Sequence, residues 1–183
     1  MGYLLCISLV WRGLDFIQKE NIHNNLTIPS SKQLIDNKYL DLIRRIVADP
    51  IERDAKLRAI CRFLNANFNA FDWVGFYLSD EATQELVLGP FVGAPTEHVR
   101  IPFGRGICGQ AAVSLNTMNI ANISNESNYL ACSLDVHSEI VIPIIKSGKF
   151  LGELDIDSHQ SDRFGPAEQR FLEKIVRIIT VIF

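Results

Sequence analysis

The chain has 183 residues, a formal net charge of −3, and 48% hydrophobic against 21% charged residues. That is the size and balance of one packed domain, which excludes wholesale disorder and the collagen-like and low-complexity classes. With 18 basic against 21 acidic residues there is no cationic surplus for a nucleic-acid backbone. No apolar run reaches the ~18 residues of a membrane span.

The cysteines are Cys6, Cys61, Cys108 and Cys132. They are too few for a disulfide-dense secreted scaffold, and no C-x-x-C pair argues for structural zinc. A reducing, cytoplasmic compartment is the expectation. Residues 3–11 are apolar, but no Lys or Arg precedes them and Trp11-Arg12-Gly13 is a poor cleavage site, so they do not read as a signal peptide. Residues 1–29 show no sustained period and read as an irregular extension. One domain is expected over 30–183.

Ser30 with Gln33 resembles a capping box and opens a first helix, with Leu42, Ile43, Ile46 and Val47 at helical spacing. A second helix is expected from Asp49-Pro50, with Leu57, Ile60, Cys61, Leu64 and Phe68 as its apolar stripe. Cys61 on that stripe reads as a core filler. Short runs follow: Trp73-Val-Gly-Phe-Tyr-Leu78, then Leu86-Val-Leu-Gly-Pro-Phe91, where Pro90 signals an edge or bulge. Residues 99–101 and 118–120 are weaker strands. Residues 139–145 and 150–156 are the clearest pair, with Lys146-Ser-Gly-Lys149 as a hairpin turn between them. A last helix starts at Pro166, with Phe171, Leu172, Ile175 and Ile179 on one face. Helices at both ends of a run of strands argue for an α+β fold. Its central sheet should be antiparallel, with the N- and C-terminal helices packed on one face.

Gly104-Arg-Gly106-Ile-Cys-Gly109 matches G-x-G-x-x-G literally. Pro102 interrupts the approach and no βαβ unit surrounds it, so a dinucleotide site does not follow. A tight glycine turn launching a short helix from about Gly109 fits better. Cys108 then sits near a helix N-terminus, where the dipole favours a thiolate nucleophile. The alternative is a small buried residue behind the turn. Cys132 lies in a loop before the 139–145 strand, a common place for chemistry. Asp155 and Asp157, two apart on a strand, project to the same face. With Glu139 they can bind an ammonium, donate a proton or hold a metal, or else cap a nearby loop. His98, His137 and His159 lack the i, i+4 pairing of a zinc motif, and His137 and His159 read as surface residues.

The stretch from Asp72 to the C-terminal helix resembles the GAF-domain free methionine-R-sulfoxide reductases. The matching pieces are Trp73-Val-Gly-Phe-Tyr77, Leu88-Gly-Pro-Phe91, Arg100-Ile-Pro-Phe-Gly-Arg-Gly-Ile-Cys-Gly109, Ala131-Cys132, Ser138-Glu-Ile-Val141 and Leu154-Asp-Ile-Asp-Ser158. The resemblance implies a GAF-like domain and thiol-dependent reduction of free methionine-R-sulfoxide. It implies Cys132 as nucleophile and Cys108 as its resolving partner. A further family cysteine falls ten positions before Cys108, where this chain has His98. Trp73 and Tyr77 would flank the substrate's methyl-sulfur end, and Glu139, Asp155 and Asp157 would hold its ammonium and sulfoxide oxygen. A thioredoxin-type dithiol would be the reductant, with no cofactor and no metal. The stripe ending at Ile182-Phe183 is consistent with a homodimer and equally with a core-facing helix. A non-catalytic GAF ligand or redox sensor is the alternative of another class.

Overall fold

The strand pair that is clearest in sequence sets the middle of the sheet. The structure is a computed structural model and describes residues 30–126 and 135–183. In it β5 (Ser138–Lys146) and β6 (Lys149–Ser158) form an antiparallel hairpin. Its turn residues Ser147 and Gly148 both take positive φ, 52° and 79°, as a two-residue turn matching the strand twist requires. β1 (Trp73–Asp80) pairs with the other side of β6. β2 (Glu85–Val92), β3 (Arg100–Pro102) and β4 (Met118–Ile120) complete an antiparallel six-stranded sheet of order β3-β2-β1-β6-β5-β4. Pro90 lies where the β1–β2 register slips between Gly75 and Tyr77, the bulge its missing N–H called for.

Three helices cover one sheet face: α1 (Ser31–Ala48), α2 (Arg53–Asn67) and α4 (Pro166–Ile179). Leu57, Ile60 and Leu64 of α2, Leu40 and Ile43 of α1, and Phe171, Leu172 and Ile175 of α4 belong to one core. Beneath them lie Val74, Phe76, Ile140, Ile142, Leu154 and Ile156 of the strands. Each such aliphatic side chain stabilises the fold by about 1.5–3 kcal/mol when fully buried. The expected packing of terminal helices on one face is therefore present, and the fold is α+β. Cys61 is fully buried in this core, and its thiol reaches the Pro90 carbonyl at 3.5 Å.

Two local expectations are corrected. α2 begins at Arg53 rather than at Asp49, because the Asp49 amide still donates to Arg45 and closes the last turn of α1. On α1, Leu40 and Ile43 form the buried face while Leu42 is exposed. The extension expected over residues 1–29 lies outside the described residues.

The other face carries α3 (Gly106–Ser114), which starts three residues earlier than the glycine pattern suggested. Gly104 and Gly106 sit at φ 85° and 66°, conformations that strain any side chain and turn the chain sharply into the helix. Gly109 is equally constrained by space: a Cβ there would lie 2.6 Å from the Pro102 carbonyl oxygen. Gly109 thus serves close packing of α3 on β3, and Gly104 and Gly106 supply the turn into the helix.

Candidate functional site

Alternation along β6 divides its side chains between two environments. Leu154 and Ile156 enter the helix-covered core. Glu153, Asp155 and Asp157 must then share the opposite face, beneath α3. The neighbouring strands complete a grid. Trp73, Gly75 and Tyr77 of β1 stand opposite Asp157, Asp155 and Glu153. Glu139, Val141 and Pro143 of β5 stand opposite the same three residues from the other side. The structure therefore brings Trp73, Tyr77, Glu139, Asp155 and Asp157 together on one face, and α3 lowers Cys108 onto them. The expected nucleophile Cys132 lies outside the described residues.

The indole of Trp73 lies across its own strand. A Cβ on Gly75 would meet the ring at 2.2 and 2.5 Å, and one on Gly93 would meet it at 2.5 Å. Two absent side chains thus make the slot for this ring. Phe91 stacks on it with centroids 5.4 Å apart, Tyr77 follows at 6.3 Å, and the indole N–H donates to the Ala94 carbonyl at 3.1 Å. The Tyr77 hydroxyl donates to the His98 carbonyl at 2.9 Å. So the His98 backbone helps fix Tyr77, and Tyr77 turns its ring toward Trp73.

The carboxyls are the electrostatic feature. Glu139, Glu153, Asp155 and Asp157 are all at most 3% exposed. Burial pushes the Asp155 carboxyl up to about 7, opposed by hydrogen bonds from Cys108 and the Ile156 backbone. Burial also raises Glu139, Glu153 and Asp157 well above the usual carboxylate range, and the Asp155 charge raises each further. Asp157 is also raised by Asp72. Burial thus favours the neutral acid at all four positions, and charge on one of them disfavours charge on the others. Cys108 is the thiol at its centre, with Sγ 3.4 Å from Asp155 Oδ2 and 3.8 Å from Glu139 Oε1. Both Glu153 oxygens, Asp155 Oδ1 and Asp157 Oδ1 are buried with no hydrogen-bond partner among the described residues. Unmet acceptors of this kind cost stability unless a ligand satisfies them. Cys108, Glu139 and Asp155 each offer a ligand atom, all within 4.8 Å of one another.

Such a site can clasp a cationic group and hand a proton to a polar oxygen beside an aromatic wall. Glu153 is the residue the sequence reading missed. Its signal was present: the alternation that pairs Asp155 with Asp157 continues one step back to Glu153. His137 and His159 are exposed, and His159 Nδ1 stands 3.8 Å from Asp72.

The GAF domain family model matches residues 52–182. Protein YtsP of Bacillus subtilis is 41% identical over 142 residues, covering 78% of this chain and 85% of that protein. The free methionine-R-sulfoxide reductase of Escherichia coli is 39% identical over 141 residues, covering 75% and 84%. The crystal structure of the Neisseria meningitidis free methionine-R-sulfoxide reductase with its substrate aligns at TM-score 0.78 and 36% identity, covering 85% and 92%. The chain thus belongs to the GAF domain family and is a homologue of proteins named free methionine-R-sulfoxide reductase.

Proposed function

We propose that the protein reduces free L-methionine-R-sulfoxide to methionine. The observation that carries the reading is the buried carboxyl cluster beside the Trp73–Tyr77 wall, held largely neutral by burial. A neutral acid donates a hydrogen bond to the sulfoxide oxygen and makes sulfur a better electrophile. The ionised member attracts the ammonium. In this proposal Glu139, Asp155 and Asp157 share those tasks, and Trp73 and Tyr77 flank the methyl-sulfur end. An ammonium bound among buried carboxyls accounts for selecting the free amino acid over a peptide-bound residue, which lacks that group.

The chemistry assigned to the cysteines balances as follows. The Cys132 thiol attacks sulfur and takes the oxygen, leaving methionine and a Cys132 sulfenic acid. The Cys108 thiol condenses with it, forming a disulfide and releasing water. An external dithiol, of thioredoxin type, exchanges with that disulfide and restores both thiols. His98 stands where the family's further cysteine falls, so resolution is assigned to Cys108 alone. The domain is proposed to span 30–183 and to work in a reducing cytoplasm, as a monomer or a homodimer through its terminal helices. Among the described residues no helix is long and apolar enough to cross a membrane.

His98 favours one second reading, a GAF domain that binds a ligand or reports oxidation without turnover. Methionine release from separated R and S free sulfoxides, with excess dithiothreitol, separates the two. Many turnovers on R alone, lost in Cys132→Ser, are expected. No release from folded, reduced protein would leave the sensor reading standing.

A further inference from the structure

We propose that the reduced protein binds a borderline-soft divalent cation of the Zn²⁺ class through Cys108, Glu139 and Asp155, with Glu153 beside them. Sγ of Cys108 lies 3.4 Å from Asp155 Oδ2 and 3.8 Å from Glu139 Oε1. A tetrahedral zinc with Zn–S of about 2.3 Å and Zn–O of about 2.0–2.2 Å has S···O edges of roughly 3.5–3.7 Å. The two sulfur–oxygen separations thus already match the edges of such a site, and all three donor atoms lie within 4.8 Å of one another.

Glu153 supplies the independent observation. It is fully buried, neither oxygen has a hydrogen-bond partner in good geometry among the described residues, and the Asp155 charge and the Cys108 thiol both act on it. A carboxyl in that condition is aimed at something, and the shared thiol places the target at the cluster's centre. Among the described residues, no lysine, arginine or histidine acts on the four carboxyls. Burying several acids without a basic neighbour is stable when they stay protonated or when a cation joins them.

The donor set selects the ion. One thiolate with carboxylates suits zinc-class metals, whereas Mg²⁺ and Ca²⁺ want six or more oxygens and retain water. Binding transfers no electrons. The thiol and the protonated carboxyls release their protons to solvent as the metal–ligand bonds form, so affinity rises with pH. Among the described residues, Asp157 of β6 acts on Glu139, and Tyr77 of β1 is the cross-strand partner of Glu153.

The site shares Cys108, Glu139 and Asp155 with the proposed activity, but metal binding is read independently of turnover. Its consequence for that activity rests on the reductase reading: cation and substrate ammonium need the same carboxylates and exclude each other. Conversion of Cys108 to a disulfide removes the sulfur ligand and releases the ion.

The test uses Co²⁺ as probe, titrated anaerobically into the full-length reduced protein. One equivalent should bind, with near-ultraviolet thiolate-to-cobalt absorption and the visible bands of a tetrahedral ion. Cys108→Ser should abolish the thiolate band and weaken binding at least tenfold, while Cys132→Ser should keep the band. Glu153→Gln should keep the band with weaker binding. Circular dichroism checks that each variant folds, and Glu139→Gln supplies a second ligand variant. The proposal is overturned if folded, reduced wild type gives no thiolate band, or if the band survives Cys108→Ser and disappears in Cys132→Ser. Methionine release is measured separately. A cobalt band without turnover would remove the reductase reading and leave the site, and turnover without the band would do the reverse.

Discussion

Raising the pH from 5 to 8 should destabilise this protein, against the usual behaviour of a domain whose carboxylates sit in ion pairs. Asp155 has its ordinary value at 3.8 in the unfolded chain and about 7 in the fold. Between those values the folded state holds a proton that the unfolded state has released. Stability is therefore fully favoured below 3.8 and is lost as pH rises through about 7. At about 1.36 kcal/mol per pH unit, the part of that loss falling between pH 5 and 8 is on the order of 2–3 kcal/mol. Glu139, Glu153 and Asp157 are raised in the same direction, so they steepen the decline over the same range and extend it to higher pH. For a domain of this size the Asp155 share corresponds to a Tm drop of roughly 5–10 °C. Urea denaturation of thiol-reduced protein at pH 5, 6, 7 and 8 measures it. Asp155→Asn should remove the Asp155 share of the slope below pH 7 and leave the share that Glu139, Glu153 and Asp157 contribute. A stability that stays flat or rises from pH 5 to 8, or an Asp155→Asn variant with the wild-type slope, would refute the electrostatic account of the site.

Gly75→Ala should force the Trp73 ring out of its slot, since the new Cβ lies 2.2 Å from a ring atom. A loss of about 1–3 kcal/mol is expected from overpacking, together with a higher KM for the sulfoxide and a smaller change in kcat. Unchanged melting and KM would count against the slot. Cys61, its thiol pushed up to about 12 by burial, should resist iodoacetamide in the native state and label fully after unfolding, as read by mass spectrometry. Ile156→Ala should cost about 2–5 kcal/mol in denaturant titration. It should leave the pH dependence of stability in place, because Ile156 faces the helices and not the acids.

The elements were largely legible because their periods are strong. The β5–β6 pair shows in its apolar runs and Ser147-Gly148 turn, and α4 shows in the spacing of Phe171, Leu172, Ile175 and Ile179. Asp155 and Asp157 could be placed on one face by counting. What counting does not supply is register: that Gly75 rather than a larger residue stands opposite Asp155, or that Glu139 stands opposite Asp157, is decided by pairing across strands. Glu153 was overlooked for a related reason. A single acid after a glycine looks solvated until its strand is known to be central and covered on both faces. The start of α2 was misread because Asp49-Pro50 carries a good helix-start pattern, while the Asp49 amide was already committed to α1. The site motif pieces were recognised only through their resemblance to a family, since neither composition nor spacing carries a sulfoxide.

The two-faced character of β6 also bears on how the chain finds its pairing. A slip of one residue against β1 or β5 would drive Glu153, Asp155 and Asp157 into the space now filled by Leu154 and Ile156, among phenylalanines and aliphatics of the helices. Three acids in a hydrocarbon interior have no partner there. The same slip would turn the aliphatics toward the thiol and the polar cleft. The acids thus weigh against the misaligned registers, each of which would place them in hydrocarbon. A variant with those acids replaced by aliphatics would keep a core in either alignment and lose the means to choose between them.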